Sequence, residues 1–283
     1  MSGSADSRRP ASSDVRPSGG RKSRRSFLRT VLLGGGVVLA ALSGFLPVKY
    51  AMARRLRPPG ALDEADFLSS CIKCGQCLQV CPVSAIRLGD LVDGYGVGVP
   101  YIDSREQACD FSCDAAQCIL ACPTGALTYE KPASLPVRVG AGLSRKPILK
   151  AKERDAENTL NFRERMGVAR LARPESCLAT KGEGFTGIAR GADFSGRLRY
   201  VSVDRWKPVP VREHPYAATP CDLCITSCPI VGAISFEKFL DASGALRERP
   251  AVHEACVGCG VCEMICPVEP GCIEIDAREV WKA

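Results

Sequence analysis

Histidine is almost missing from this chain of 283 residues. His214 and His253 are its only two, and each stands alone, reading as a surface or packing residue rather than as a ligand. No His/Asp/Ser constellation, phosphate-cradling loop or Rossmann-type glycine fingerprint is present, which leaves the common hydrolytic, phosphoryl-transfer and dinucleotide chemistries without residues. Long apolar runs are scarce too. The stretch 31–46 would span about 24 Å as a helix at roughly 1.5 Å per residue, short of the ~30 Å hydrocarbon core. Net charge is also lacking where a fold could use it. Residues 1–53 carry nine Lys and Arg against Asp6 and Asp14, which accounts for the whole formal charge of +7. Residues 54–283 hold 29 basic and 29 acidic side chains, so nucleic-acid binding has no compositional support.

Cysteine is abundant, with 17 residues. Residues 71–82, CIKCGQCLQVCP, place Cys71, Cys74, Cys77 and Cys81 before Pro82, the C-x2-C-x2-C-x3-C-P run of bacterial ferredoxins. Cys256, Cys259, Cys262 and Cys266 repeat that spacing at 256–267. Two looser copies lie between them: Cys109, Cys113, Cys118 and Cys122 at x3, x4, x3 spacing, and Cys221, Cys224 and Cys228. Each Cys-Pro step leads to a small residue and then Ile or Leu: Ala85-Ile86, Ala126-Leu127, Ala233-Ile234 and Cys272-Ile273. One short supersecondary unit is therefore repeated four times.

The spacing suits a [4Fe–4S] cubane, whose iron corners lie a few ångströms apart, so that three thiolates on one tight loop can face it. Proline then ends the short helix at the close of the run, having no N–H to extend it, and Gly75 and Gly260 let the loop backbone approach the inorganic sulfides without a Cβ in the way. A zinc ribbon would need two C-x2-C pairs rather than four-cysteine runs closed by Cys-Pro. A disulfide scaffold is disfavoured by sulfurs packed too awkwardly for pairwise bridging. Ligand thiolates around cationic iron–sulfur cores leave each site anionic, so the loaded protein is expected to be acidic.

Residues 1–22 are expected to be disordered. SRRSFLRT at 23–30, followed by a short glycine-containing apolar run and by Ala51-Met52-Ala53, resembles a twin-arginine export signal with an A-x-A cleavage site. The alternative is an uncleaved membrane anchor. An export route for folded cargo fits clusters assembled in the cytoplasm. RPPGAL at 57–62, a short acidic stretch, Phe67-Leu68 and then CIKCGQC resemble the NapG/MauM family of twin-arginine-exported ferredoxin-type proteins, accessory to periplasmic nitrate reductase or to methylamine utilisation. The resemblance covers about 23–130 and 215–276.

The expected fold is α+β, with two tandem ferredoxin-like 2[4Fe–4S] modules at 54–130 and 215–283, a connector at 131–214 and a signal region at 1–53. In the connector a helix is expected over 151–170 and a strand over 198–203. In a two-cluster module the fourth cysteine of each run reaches the neighbouring cluster. That rule groups Cys71, Cys74, Cys77 and Cys122 as cluster 1, and Cys109, Cys113, Cys118 and Cys81 as cluster 2. Cys256, Cys259, Cys262 and Cys228 form cluster 4. The third run has Ala218 where its first cysteine is due, and Cys177, the only cysteine of the connector, is taken to complete cluster 3 with Cys221, Cys224 and Cys266. Cys272 as the sixteenth ligand, or a three-iron cluster, are the alternatives; Cys272 is otherwise a packing residue beside the fourth cluster.

These residues describe an electron carrier with four [4Fe–4S] clusters and no catalytic residue. The resemblance implies a periplasmic location and a membrane-bound polyferredoxin-type quinol oxidase as donor. It further implies a periplasmic oxidoreductase to serve and the twin-arginine translocase as export partner. The competing readings are an electron-transfer subunit of another exported molybdoenzyme or hydrogenase, and an assembly factor whose clusters are structural.

Overall fold

The computed structural model describes residues 24–53, 55–90, 96–113, 116–129, 135–138, 159–162, 165–200, 203, 207–241 and 243–277. The chain divides into two units, Met1–Leu46 and Pro47–Ala283. Helix α1 (Arg24–Ala53) begins at the arginine pair, and its apolar side chains from Phe27 to Leu39 are exposed. No helix among the described residues is long and apolar enough to cross a membrane. The disorder expected for 1–22 falls outside the described residues.

The second unit is made of short elements in two halves. The first half runs through α2 (Glu64–Ser70), α3 (Gln76–Gln79), β1 (Ile86–Leu88), β2 (Pro100–Ile102) and α4 (Gln117–Leu120). Strands β3 (Leu135–Arg138) and β4 (Thr159–Phe162) pair with each other. The second half opens with β5 (Gly167–Leu171), a 3-10 turn at Pro174–Ser176, α5 (Leu178–Lys181), β6 (Phe185–Gly187), β7 (Arg197–Leu198), β8 (Val209–Pro210) and β9 (Tyr216–Ala218). It closes with α6 (Leu223–Thr226), β10 (Ile234–Leu240), β11 (Leu246–Val252), α7 (Val261–Ile265) and β12 (Ile273–Ala277). The strands form antiparallel pairs: β1–β2, β5–β12, β6–β9, β7–β8 and β10–β11 besides β3–β4.

Two-stranded sheets of this size are marginal by themselves, and here β1–β2, β5–β12, β6–β9, β7–β8 and β10–β11 contribute to one core that runs from Leu56 to Ile273 and buries seven of the cysteines, with five more packed against it. In the first half the core is closed by the leading segment. Leu56 bridges Ile102 and Ala61 bridges Leu127, so 56–61 ties β2 to the chain that follows the second run. Between them Arg57 is fully buried, its Nε and Nη2 on Glu64 (3.0 and 2.5 Å) and its Nη1 on the Pro100 carbonyl (2.9 Å). With these partners, and with the Phe67 ring beneath it, the buried charge is compensated.

In the second half the same position is taken by β5, which pairs with β12 from Gly167↔Ala277 to Leu171↔Ile273. The helix expected over 151–170 is therefore corrected, since its described residues form β4 and β5. Favourable helix composition there yields to pairing with β12, which buries Gly167 and Ala169 on one face of the strand. Of the strand expected over 198–203, Leu198 belongs to β7 while Arg199 and Tyr200 are irregular.

The halves meet through residues 104–110. The Cys109 N–H donates to the Cys259 carbonyl (3.1 Å) and the Ala108 N–H to Met264 Sδ (3.2 Å). Arg105 donates to the carbonyls of Glu263, Cys266 and Val268 (2.5, 3.0 and 2.8 Å) and to Glu269. Gln107 and the Arg197 backbone bond reciprocally at 2.9 and 2.8 Å.

Candidate metal centres

Each complete run has the same backbone device. A residue in the left-handed region follows two positions after the first cysteine: Lys73 (φ 59°), Phe111 (φ 54°) and Gly258 (φ 72°). A second left-handed residue, Gly75, Ala116 or Gly260, stands at the N-cap of the short helix that carries the third cysteine. Two reversals of this kind curl the loop so that three side chains face one side. Gly75 owes its identity to this conformation, because a Cβ there would meet only Leu88 Cδ1 at 3.8 Å. At Gly258 space matters as well, since a Cβ would lie 2.4 Å from the Gly167 carbonyl carbon.

The fourth cysteines are brought across. One cavity is lined by Cys71, Cys74, Cys77 and Cys122, with Phe67, Pro100 and Leu127 among its walls. A second is lined by Cys81, Cys109, Cys113 and Cys118, against Pro59, Ile102 and Phe111. In the second half a third cavity gathers Cys177, Cys221, Cys224, Cys266 and Cys272. Cys228, Cys256, Cys259 and Cys262 form a fourth group, close enough that the thiolates of Cys228 and Cys256 act on Cys259 and Cys262. Each cavity offers roughly 340–350 Å³ free of protein atoms, solvent-open space included. Among the described residues no three His, Cys, Asp or Glu side chains converge tightly enough for a single ion. Four soft sulfurs gathered around an apolar hollow, each set completed by a cysteine from another run, fit a polynuclear iron–sulfur core better than mononuclear zinc.

The groups are close enough to form a series. Cys118 feels the charge of Cys77, linking the first cavity to the second. The Cys109–Cys259 backbone bond links the second to the fourth group, and Cys262 feels Cys224 of the third cavity.

Cys177 reaches the third cavity by strand pairing. It caps the 3-10 turn at its C-terminal end and starts α5, after which β6 pairs with β9 with Phe185 opposite Ala218, three residues before Cys221. The Cys221 N–H adds a bond to the Glu183 carbonyl (3.0 Å). Residues 165–200 are thus woven into the second half at both ends of this segment, by β5–β12 and by β6–β9.

Burial dominates the electrostatics. It pushes the thiols of Cys77, Cys221 and Cys228 up to about 11, and those of Cys109, Cys224, Cys259 and Cys262 well above the ordinary range, with neighbouring thiolates adding to the rise. Such sets resist ionising together unless cationic metal offsets the charge. Backbone N–H groups already aim at sulfur: Ala85 at Cys81 (3.3 Å), Leu127 at Cys122 (3.4 Å), Ala169 at Cys256 (3.5 Å) and Cys272 at Cys266 (3.4 Å).

Cys272 requires a correction. It lies at the third cavity and not beside the fourth group, because its N–H holds Cys266, which crosses over. Hydrogen bonding with Cys272 lowers Cys177 and Cys266, to about 5 and about 6, while Cys272 itself is pushed far up. Asp110, buried beside Cys109, escaped the sequence reading. It accepts from the N–H groups of Ser112 (2.9 Å) and Arg199 (3.0 Å), and burial pushes its carboxyl up. His214 is a packing residue, stacked on Tyr200 at 3.9 Å, whereas His253 bonds Ser235 at 2.6 Å on the surface.

Comparison with known proteins agrees with this chemistry. A model of the 4Fe-4S dicluster domain matches residues 70–126 and 219–270. The chain is 31% identical over 260 residues to the ferredoxin-type protein NapG of Escherichia coli K12, covering 89% of this chain and 84% of that protein. It is 32% identical over 250 residues to the methylamine utilization ferredoxin-type protein MauM of Paracoccus denitrificans, with 88% and 81% covered. The NapG of Haemophilus influenzae is 30% identical over 269 residues, with 92% and 73% covered. No solved structure shows a significant match.

Proposed function

The chain belongs to the family of the NapG and MauM ferredoxin-type proteins, and from that premise we propose that it is a periplasmic electron carrier holding four [4Fe–4S] clusters. Four sets of sulfurs, each with its last cysteine drawn from a neighbouring run, are the observation that carries this reading. The proposed ligands are Cys71, Cys74, Cys77 and Cys122 for cluster 1, and Cys81, Cys109, Cys113 and Cys118 for cluster 2. Cys177, Cys221, Cys224 and Cys266 would hold cluster 3, and Cys228, Cys256, Cys259 and Cys262 cluster 4.

When bound, such clusters accept and release single electrons, at potentials within roughly −700 to +450 mV. The protein orders them, 1–2–4–3, through the contacts between neighbouring groups. It sets their potentials through burial and through the N–H groups aimed at Cys81, Cys122, Cys256 and Cys266. Cys74 is exposed, which makes cluster 1 a natural end for exchange with a partner.

The name of the MauM relatives supports service to a methylamine system, and the resemblance to the NapG branch is what suggests a nitrate system instead. A membrane-bound polyferredoxin-type quinol oxidase would be the donor and a periplasmic oxidoreductase the recipient, after export by the twin-arginine translocase from the signal at 23–53. The ferredoxin-type names of the relatives support the role of a carrier rather than of an enzyme.

Anaerobically purified full-length protein should contain iron and acid-labile sulfide for four cubanes. Reductive titration followed by spin resonance should show each taking one electron. Colourless protein with negligible iron would end the reading, and clusters that accept no electron would leave an assembly factor in its place. A stable complex with a large catalytic chain would instead make it a subunit of another exported molybdoenzyme or hydrogenase.

A further inference from the structure

The third cavity differs from the others in holding five sulfurs for a group that needs four. The extra one, Cys272, occupies the position filled by Ala85, Ala126 and Ala233 in the other repeats, where no side-chain donor exists. It is buried, 2% exposed, in a satellite core made of Cys177, Ala179, Cys266 and itself. Its backbone is fixed on both sides: the carbonyl accepts from the N–H groups of Ala172 (2.8 Å) and Arg173 (3.1 Å), and the N–H donates to Cys266 Sγ at 3.4 Å. Its side chain packs against those of Cys177 and Cys266 in that core and lines the same cavity as they do.

We propose that Cys272 is a tuning residue of cluster 3: a fifth sulfur that binds no iron but gives its N–H to Cys266 and its S–H to Cys177. This rests on the ligand assignment above, in which Cys177 and Cys266 belong to that cluster. A thiol carries one proton, and the proposal gives it to Cys177, so that both ligands receive a donor from Cys272. Hydrogen bonds to ligand sulfur stabilise the more negative, reduced state and so raise the potential. The first-half clusters have backbone N–H donors at Cys81 and Cys122, with alanine in the corresponding slots, so the added S–H lifts cluster 3 alone.

The test uses full-length holoprotein, purified anaerobically, as Cys272→Ala, Cys272→Ser and Cys177→Ala variants, with iron analysis and redox titration by spin resonance. Cys272→Ala should keep all its iron and lower one midpoint, making that cluster about tenfold less reduced at a fixed ambient potential, ~59 mV for a one-electron couple. Cys272→Ser retains a donor and should lie close to the parent protein. Cys177→Ala should lose one cluster. Iron lost from Cys272→Ala while Cys177→Ala stays complete would make Cys272 the ligand and overturn both the inference and the assignment. Loss of one cluster in Cys177→Ala, with every midpoint unmoved in Cys272→Ala, would overturn the tuning role alone. Equal shifts in the serine and alanine variants would reduce Cys272 to packing and overturn it as well.

Discussion

The two halves of the second unit build one design with different covalent distances. In the first half Cys71 stands three residues before Cys74, at the C-cap of α2, with φ −74° and ψ 111°. In the second half Cys177 stands at the C-cap of the 3-10 turn with φ −70° and ψ 124°, yet residues 178–220 separate it from Cys221. Each follows a segment that pairs with the chain after the closing Cys-Pro step, 56–61 in one half and β5 in the other. What is preserved is the placement of the backbone. In the first half a tight loop with Lys73 and Gly75 in the left-handed region delivers the sulfur; in the second, β6–β9 pairing does so. Asp222, in the place of Gly75, has φ −123°, because no first cysteine needs to be turned inward there. Loop closure cost rises only as the logarithm of length, so an insertion is tolerable once strands hold its ends.

The equivalence would break most visibly at the ligands. Cys71→Ala and Cys177→Ala are each expected to lose about one cluster's iron, and iron analysis showing loss from the first but not the second would separate the halves. Next comes the closing segment. Arg57→Ala removes a buried guanidinium and leaves the partly buried Glu64 carboxylate unpaired in the first half only, and should cost about 3 kcal/mol, seen as faster hydrogen exchange over 56–102 while β5–β12 remains protected. Arg105→Ala removes bonds that hold the halves together, at about 1.5–3 kcal/mol for a charged hydrogen bond. It should raise exchange and proteolysis at 263–269 with the iron content intact. Arg249→Ala, on the exposed β10–β11 hairpin that is much longer than β1–β2, breaks a surface pair with Glu237 and should move the thermal midpoint for loss of cluster absorbance least, by under about 1 kcal/mol.

The four runs were readable because ligand spacing within a run is local, and a cubane tolerates few alternatives. Gly75 and Gly260 stood out in the sequence as places where the backbone could approach a cluster, and the structure adds that both are left-handed N-caps. Cys177 could be reached from sequence only by counting sulfurs against a vacant slot at Ala218, since its proximity to Cys221 arises from pairing between two strands of three residues whose alternation is too short to detect. The helix expected over 151–170 failed because composition reports propensity, and β12 rewards an extended partner more. Cys272 was misplaced beside the fourth group because a repeat alignment says which slot a residue fills but not which neighbour that slot faces after the cross-over.

Sequence alone decided the chemistry: soft sulfur in repeated runs, no other reactive constellation, and hence membership of a ferredoxin-type family. Tertiary structure alone decided how the halves dock through Cys109 and Cys259, which segment supplies Cys177, and where the seventeenth sulfur points. The division follows from range. A cluster-binding loop is specified by residues a few positions apart, whereas contacts between segments a hundred residues distant depend on burial and strand pairing that no local spacing encodes.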